Sequence, residues 1–149
     1  MRREETIDHH IKTAWHAIAR MYNQQAGKHD ITMSMGFVLL NINSEDGTPA
    51  TKIAPLMGLE SRSLTRLLKT MEEKQLIYRK ADITDKRSVR IFLSKEGKRK
   101  KDVSKEVVLK FNNRVREVID EDKLKIFFDV LQNVNQIIDK NNISQKGTV

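Results

Sequence analysis

Residues 49–93 read PATKIAPLMGLESRSLTRLLKTMEEKQLIYRKADITDKRSVRIFL, and the order of local signals in this stretch decides the fold. Pro49 suits the first position of a helix and Thr48 can cap it, so a short helix is expected to turn Ile53, Leu56 and Met57 inward until Gly58 stops it. From Ser61 to Lys74 the apolar residues Leu64, Leu67, Leu68 and Met71 recur at helical spacing and make one stripe. Residues 76–80 and 88–93 then read as two short strands, because Val89, Ile91 and Leu93 alternate with Ser88, Arg90 and Phe92. Helix, tight turn, helix, strand, loop and strand is the order of a winged helix-turn-helix.

The second helix displays a particular chemistry opposite its aliphatic stripe. At 100° per residue Arg62, Arg66 and Lys69 fall on the outer face, flanked by Ser61, Ser63 and Thr65. Guanidinium, ammonium and hydroxyl groups on one face suit the major groove of double-stranded DNA, since arginine bonds two guanine acceptors at once and hydroxyls reach phosphates or several bases. Glu73 shares that face and is the residue a merely solvated helix would also carry. In the loop, Ala81 to Arg87, the triplet Asp85-Lys86-Arg87 and the following Arg90 are further candidates. Aspartate repels phosphate, so Asp85 is expected to tie the loop down through backbone N–H groups or Arg90, leaving Arg87 to enter the minor groove.

At these residues the chain resembles the MarR family of bacterial transcription regulators. The resemblance lies in Met57-Gly58, in Leu64-Thr65-Arg66-Leu67-Leu68, in the Asp-x-Arg of Asp85 and Arg87, and in Leu93-Ser94-x-x-Gly97. Two departures stand out: Glu60 where many members have a Ser or Thr cap, which would start the helix one residue late at Ser61, and Pro55 inside the first helix of the unit. The resemblance implies a homodimer, held by terminal helices, that binds duplex DNA and releases it on binding a small aromatic or phenolic compound.

The flanks agree with that reading. Ile7, Ile11, Ala14, Trp15, Ile18, Met21 and Tyr22 share one face of a first helix capped by Thr6 and followed by a polar break from Asn23 to Asp30. A second apolar stretch runs from Ile31 to Ile42, and Ser44 to Gly47 reads as a turn. Ser94 is expected to cap a long helix to about Ile119, and Asp120 to Asp122 to open a last one to about Lys140. On that last helix Leu124, Phe127, Phe128, Leu131, Val134 and Ile138 form one stripe, with Ile126, Val130 and Ile137 beside it. The arc is about 200° wide, roughly twice what one neighbour covers, which calls for a second copy of the chain. The expected class is therefore mainly α with a small β-hairpin wing. It is one domain of residues 1–149, with a DNA-binding lobe over 31–93 and a helical dimerisation region made of 1–26 and 94–141.

Composition and charge set the limits. The chain has 149 residues, 28 Lys plus Arg against 20 Asp plus Glu, and no Cys. Leu, Ile, Val and Phe number 41, enough to exclude intrinsic disorder for most of the molecule. Residues 61–101 hold fourteen basic and five acidic side chains, whereas 1–60 and 102–149 are close to neutral, so the basic excess belongs to one segment. Without cysteine there is no thiol catalysis, thiolate redox sensing or Cys-based zinc site. No nucleophile elbow, phosphate-cradling glycine loop or His-Glu metal motif occurs, so no enzyme, cofactor or metal is expected. The competing readings are a winged helix used for protein or RNA contacts and an enzyme. His16, beside Trp15 and Arg20, is a candidate lining for an effector pocket. The charged amino terminus leads into no apolar segment and the longest apolar run is Phe37 to Leu40, so a cytoplasmic protein without a membrane span is expected.

Overall fold

The computed structural model describes residues 1–85 and 87–141, without the side chain of Asn141. After a 3₁₀ turn at Arg3–Glu5 come α1 (Ile7–Gly27), α2 (Met33–Leu40), β1 (Thr48–Pro49), α3 (Ala50–Met57) and α4 (Ser61–Glu73). They are followed by β2 (Ile77–Ala81), β3 (Val89–Leu93), α5 (Lys95–Val118) and α6 (Glu121–Asn141). The chain divides into two compact units, Met1–Val108 and Leu109–Val149. That boundary falls inside α5 and not at residue 93, because the first half of α5 is fastened to the lobe. Lys100 donates to the His29 carbonyl in the α1–α2 turn, and Lys101 donates to the Ile42 carbonyl at 2.6 Å and to Ser44 Oγ at 3.1 Å.

The first unit owns the core. Val38, Leu39 and Ile42 from α2 and its end, Ile53 from α3, Leu64, Leu68 and Met71 from α4, and Leu76, Ile77, Ile91 and Leu93 around the hairpin are all buried together. The sheet order is β1-β3-β2, all antiparallel, with Ile77 opposite Leu93 and Arg79 opposite Ile91. Hence Ile77, Ile91 and Leu93 face the helices while the Tyr78–Phe92 pair faces outward, its rings stacked 5.5 Å apart.

Several expectations are corrected. Thr48 and Pro49 do not begin a helix: they form β1, pairing with Ile91 and Arg90, and Thr48 Oγ1 accepts from Asn43 N–H at 2.9 Å. Within α3 the inward face is Ile53, Ala54 and half-buried Met57, whereas Leu56 is 63% exposed. At 100° per residue Ala50, Ile53, Ala54 and Met57 share one stripe and Leu56 lies to its side. Gly58 does terminate α3, at φ +63°, with the Leu59 N–H returning to the Ala54 carbonyl at 3.1 Å. Pro55 removes the donor for one helical bond, yet α3 continues to Met57.

α1 runs five residues past Tyr22, because Asn23 to Ala26 are compatible with helix and Ala26 packs on the core. The break begins after Gly27 and its left-handed residue is Asp30, φ +60°. Thr6 sits at the N-cap position, but its hydroxyl donates to the Arg3 carbonyl at 2.8 Å and accepts no helical N–H. Ser94 does cap α5: its Oγ accepts from Gly97 N–H at 3.0 Å and donates to the Gln75 carbonyl at 2.7 Å. The second unit is built differently. Its one buried apolar residue among those described is Leu124, while Ile126, Phe127, Phe128, Val130, Ile137 and Ile138 on α6 are 47–63% exposed.

Candidate nucleic-acid interface

α4 owes its orientation to an unmixed inner stripe. Leu64, Leu68 and Met71 are buried and Leu67 is half-buried, so the opposite face must look outward. Glu60 occupies the N-cap position without a side-chain bond, the Leu64 N–H meets the Glu60 carbonyl at 3.1 Å, and Ser61 is the first helical residue and not the cap. Ser61, Arg62, Ser63, Thr65, Arg66 and Lys69 are all exposed. Thr65 Oγ1 donates to the Ser61 carbonyl at 2.8 Å, which orients the hydroxyl and leaves its lone pairs outward. None of the cations Arg62, Arg66 and Lys69 makes an ion pair among the described residues. Towards the end of the helix, Glu72 is held by Arg79 at 2.9 Å.

The basic segment therefore contains two populations. Lys74, Arg79, Arg90, Arg99, Lys100 and Lys101 are engaged within the chain by carboxylates or carbonyls. Lys80 lies over the Tyr78 and Phe92 rings at 5.5 and 5.6 Å. Arg62, Arg66, Lys69 and Arg87 are the exposed cations of α4 and the wing with no such partner among the described residues.

In the loop between β2 and β3, two aspartates set the geometry. Asp85 Oδ1 accepts from Arg87 N–H at 3.0 Å and Oδ2 from Ser88 Oγ at 3.0 Å, so the carboxylate ties the loop through its own backbone. Arg90 pairs instead with Asp82, Nη2 to Oδ2 3.4 Å, and its Nη1 donates to the Asp46 carbonyl at 3.1 Å. This clasp joins the wing to the turn before β1, and it is the contact that sequence reasoning missed: Asp82 has no pattern of its own, and its partner becomes evident only from the strand register. The Thr84 backbone N–H and then its hydroxyl, at 3.0 and 2.8 Å, together with Arg90, hold the Asp82 carboxyl below the usual carboxylate range against an opposing desolvation. Arg90 is 29% exposed and Asp82 7%, so neither is presented as α4 presents Arg66. Arg87 is exposed, and Lys86 lies outside the described residues.

His16 and Arg20, with Ala19, Asn23 and Gln24, line only an open surface depression, and Trp15 is not part of it. The apolar cavity of the first unit lies elsewhere, among Tyr22, His29, Met33, Phe37, Val107 and other residues of α1, α2 and the first half of α5, with a volume of about 30 Å³. Tyr22 and Phe37 meet edge-to-face there, 5.8 Å between centroids. Among the described residues no group of three His, Cys, Asp or Glu could hold a metal, and no helix is long and apolar enough to cross a membrane.

A three-stranded sheet whose hairpin flanks an exposed basic second helix defines a winged helix-turn-helix protein. Residues 31–89 match the model of the MarR family. Those residues, most of the winged lobe, are similar to that family, a class of transcription regulators. The chain is 34% identical over 88 residues to the HTH-type transcriptional regulator TtmR of Methylorubrum extorquens (strain PA1), a match covering 59% of this chain and 45% of that protein. To the HTH-type transcriptional regulator SarZ of Staphylococcus aureus it is 27% identical over 128 residues, covering 83% and 80%. This chain thus spans less than half of TtmR and about four-fifths of SarZ. The fold is that of MepR of S. aureus, solved as a DNA complex, with TM-score 0.81, 21% identity and coverage of 88% and 97%. It is also that of PcaV of Streptomyces coelicolor, solved with its natural ligand, with TM-score 0.78, 18% identity and coverage of 91% and 96%.

Proposed function

We propose that this chain is a sequence-specific regulator of transcription that binds double-stranded DNA as a homodimer, and that it is a repressor released by a small aromatic or phenolic effector. The observation that carries the reading is the outer face of α4: Arg62, Arg66 and Lys69 exposed and without an ion pair among the described residues, beside Ser61, Ser63 and Thr65, on a helix whose other face is sealed in the core. Arg87 adds the wing's contact, while Asp85 and Arg90 hold the wing in shape. Residues 31–93 are the DNA-binding lobe. Residues 1–26 and 94–141 supply the dimer, since Ile7, Ile11 and Trp15 of α1 and most apolar residues of α6 are exposed in one copy. The cytoplasm is where such a protein meets DNA.

A cavity of about 30 Å³ holds about one water molecule. An aromatic acid enters only when α1, α2 and α5 part, so effector binding would itself be the structural change. That MepR was solved with DNA and PcaV with a ligand supports both halves of the proposal for relatives of this fold. The test is to select bound sequences from random duplexes and to sediment the protein at micromolar concentration. A dimer that enriches a pseudo-palindrome with half-sites about 10 bp apart is the expected result; a monomer, or no enriched site, overturns it.

A further inference from the structure

Ile83 is 97% exposed, in the β2–β3 loop two residues past the end of β2. Among the described residues it is the most exposed large apolar residue after Met1, and it stands between two groups that immobilise it. On one side Asp82 is buried and paired with Arg90; on the other Thr84 is bonded to Asp82 through both its N–H and its hydroxyl. A flexible loop could turn a β-branched side chain inward, but this one is anchored on both sides of the isoleucine with the side chain left in water. The same loop carries the exposed Arg87, four residues on.

We propose that Ile83 is an apolar DNA contact: it lies against the deoxyribose walls of the minor groove where the wing meets the duplex. The inference rests on the DNA-binding reading above and specifies what the wing adds to it. Minor-groove walls are sugar C–H surface, which an isoleucine covers well and to which a guanidinium contributes little beyond charge. The contact displaces no counterion, so it adds affinity without adding salt dependence, whereas a phosphate contact from Arg87 adds both. Burying a good part of one isoleucine corresponds to roughly a tenfold change in affinity.

The experiment compares wild type, Ile83→Ser, Ile83→Leu and Arg87→Ala on the duplex that wild type selects, by titration at several salt concentrations and by hydroxyl-radical footprinting, which reads sugars in the minor groove. Ile83→Ser is expected to bind about tenfold more weakly with an unchanged slope of log K against log salt and with loss of protection flanking each half-site. Ile83→Leu should restore affinity and footprint. Arg87→Ala should flatten the slope by about one. Wild-type affinity and footprint in Ile83→Ser, or a slope reduced as in Arg87→Ala, overturns the Ile83 contact while leaving DNA binding intact. If wild type itself selects no duplex, the DNA-binding reading fails and the contact with it.

Discussion

The winged lobe and the last helix are made from similar proportions of aliphatic and aromatic side chain and deploy them in opposite ways. In the lobe most apolar residues are inside, from Ile31 to Leu93, with Leu56 and Ile83 among the exceptions, and the cations of α4 are outside. In α6 only Leu124 is inside, and Phe127, Phe128, Ile126, Val130, Ile137 and Ile138 are on the surface of a single copy. The lobe satisfies itself and offers charge to something else; α6 is unfinished until apolar surface arrives from elsewhere. Hydrophobic patterning alone identifies both as helical, but the width of the stripe separates a helix with one neighbour from a helix that needs two.

The sharpest way to break this contrast is to put a charge on the unfinished face. Phe128→Glu should weaken dimerisation by about 3–5 kcal/mol, the cost of an unpaired charge in an apolar interface, with sedimentation equilibrium showing monomer. The lobe should remain folded by circular dichroism. A dimer unchanged by this substitution would mean that α6 covers itself in another way. Next, Ile53→Ala in the closed core should cost about 2–5 kcal/mol in urea unfolding. Ile137→Ala should leave the unfolding of monomeric protein nearly unchanged and act only on association. Equal effects of the two on the monomer would erase the distinction between the regions.

On the lobe's outer surface, Arg66→Ala should relax preference at one base pair per half-site by about 1–3 kcal/mol, measured by competition among point variants of the selected site. Arg90→Ala, by contrast, should lower thermal stability, because its partners are Asp82 and the turn before β1. The smallest effect is a pH dependence. Asp82 has a folded pKa below its unfolded value, so its stabilisation is complete above the unfolded value and is lost as pH falls through the folded one. Acidification below about pH 4 should therefore lower the melting temperature of wild type more than that of Asp82→Asn. Parallel curves would mean that the Asp82 pair contributes nothing.

What could be read from the chain beforehand follows the range of the interaction. Leu64, Leu68 and Met71 repeat within one helix, so α4 and its outward cations were legible from local spacing. Gly58 and Ser94 work through bonds spanning a few residues and were legible too. β1 was not, because Thr48 and Pro49 resemble a helix start and become a strand only by pairing with Arg90 and Ile91, some forty residues away. Similar distances hid the division of the basic block, since Lys101 spends its charge on the Ile42 carbonyl and Arg90 bonds the Asp46 carbonyl. The apolar cavity at Tyr22 and Phe37 was not legible either, because it exists only where α1, α2 and the first half of α5 pack together.

Gly97 stands where the first turn of α5 passes over the end of the hairpin's stem. A β-carbon there would sit 2.0 Å from the Leu76 carbonyl oxygen, which belongs to the backbone and cannot swing aside. Among the described glycines this one has the least clearance, and a saturation library selected for function should return a column with a single permitted letter. The joint leaves no gap for a wedge: any side chain placed at Gly97 must push the first turn of α5 away from the chain entering β2.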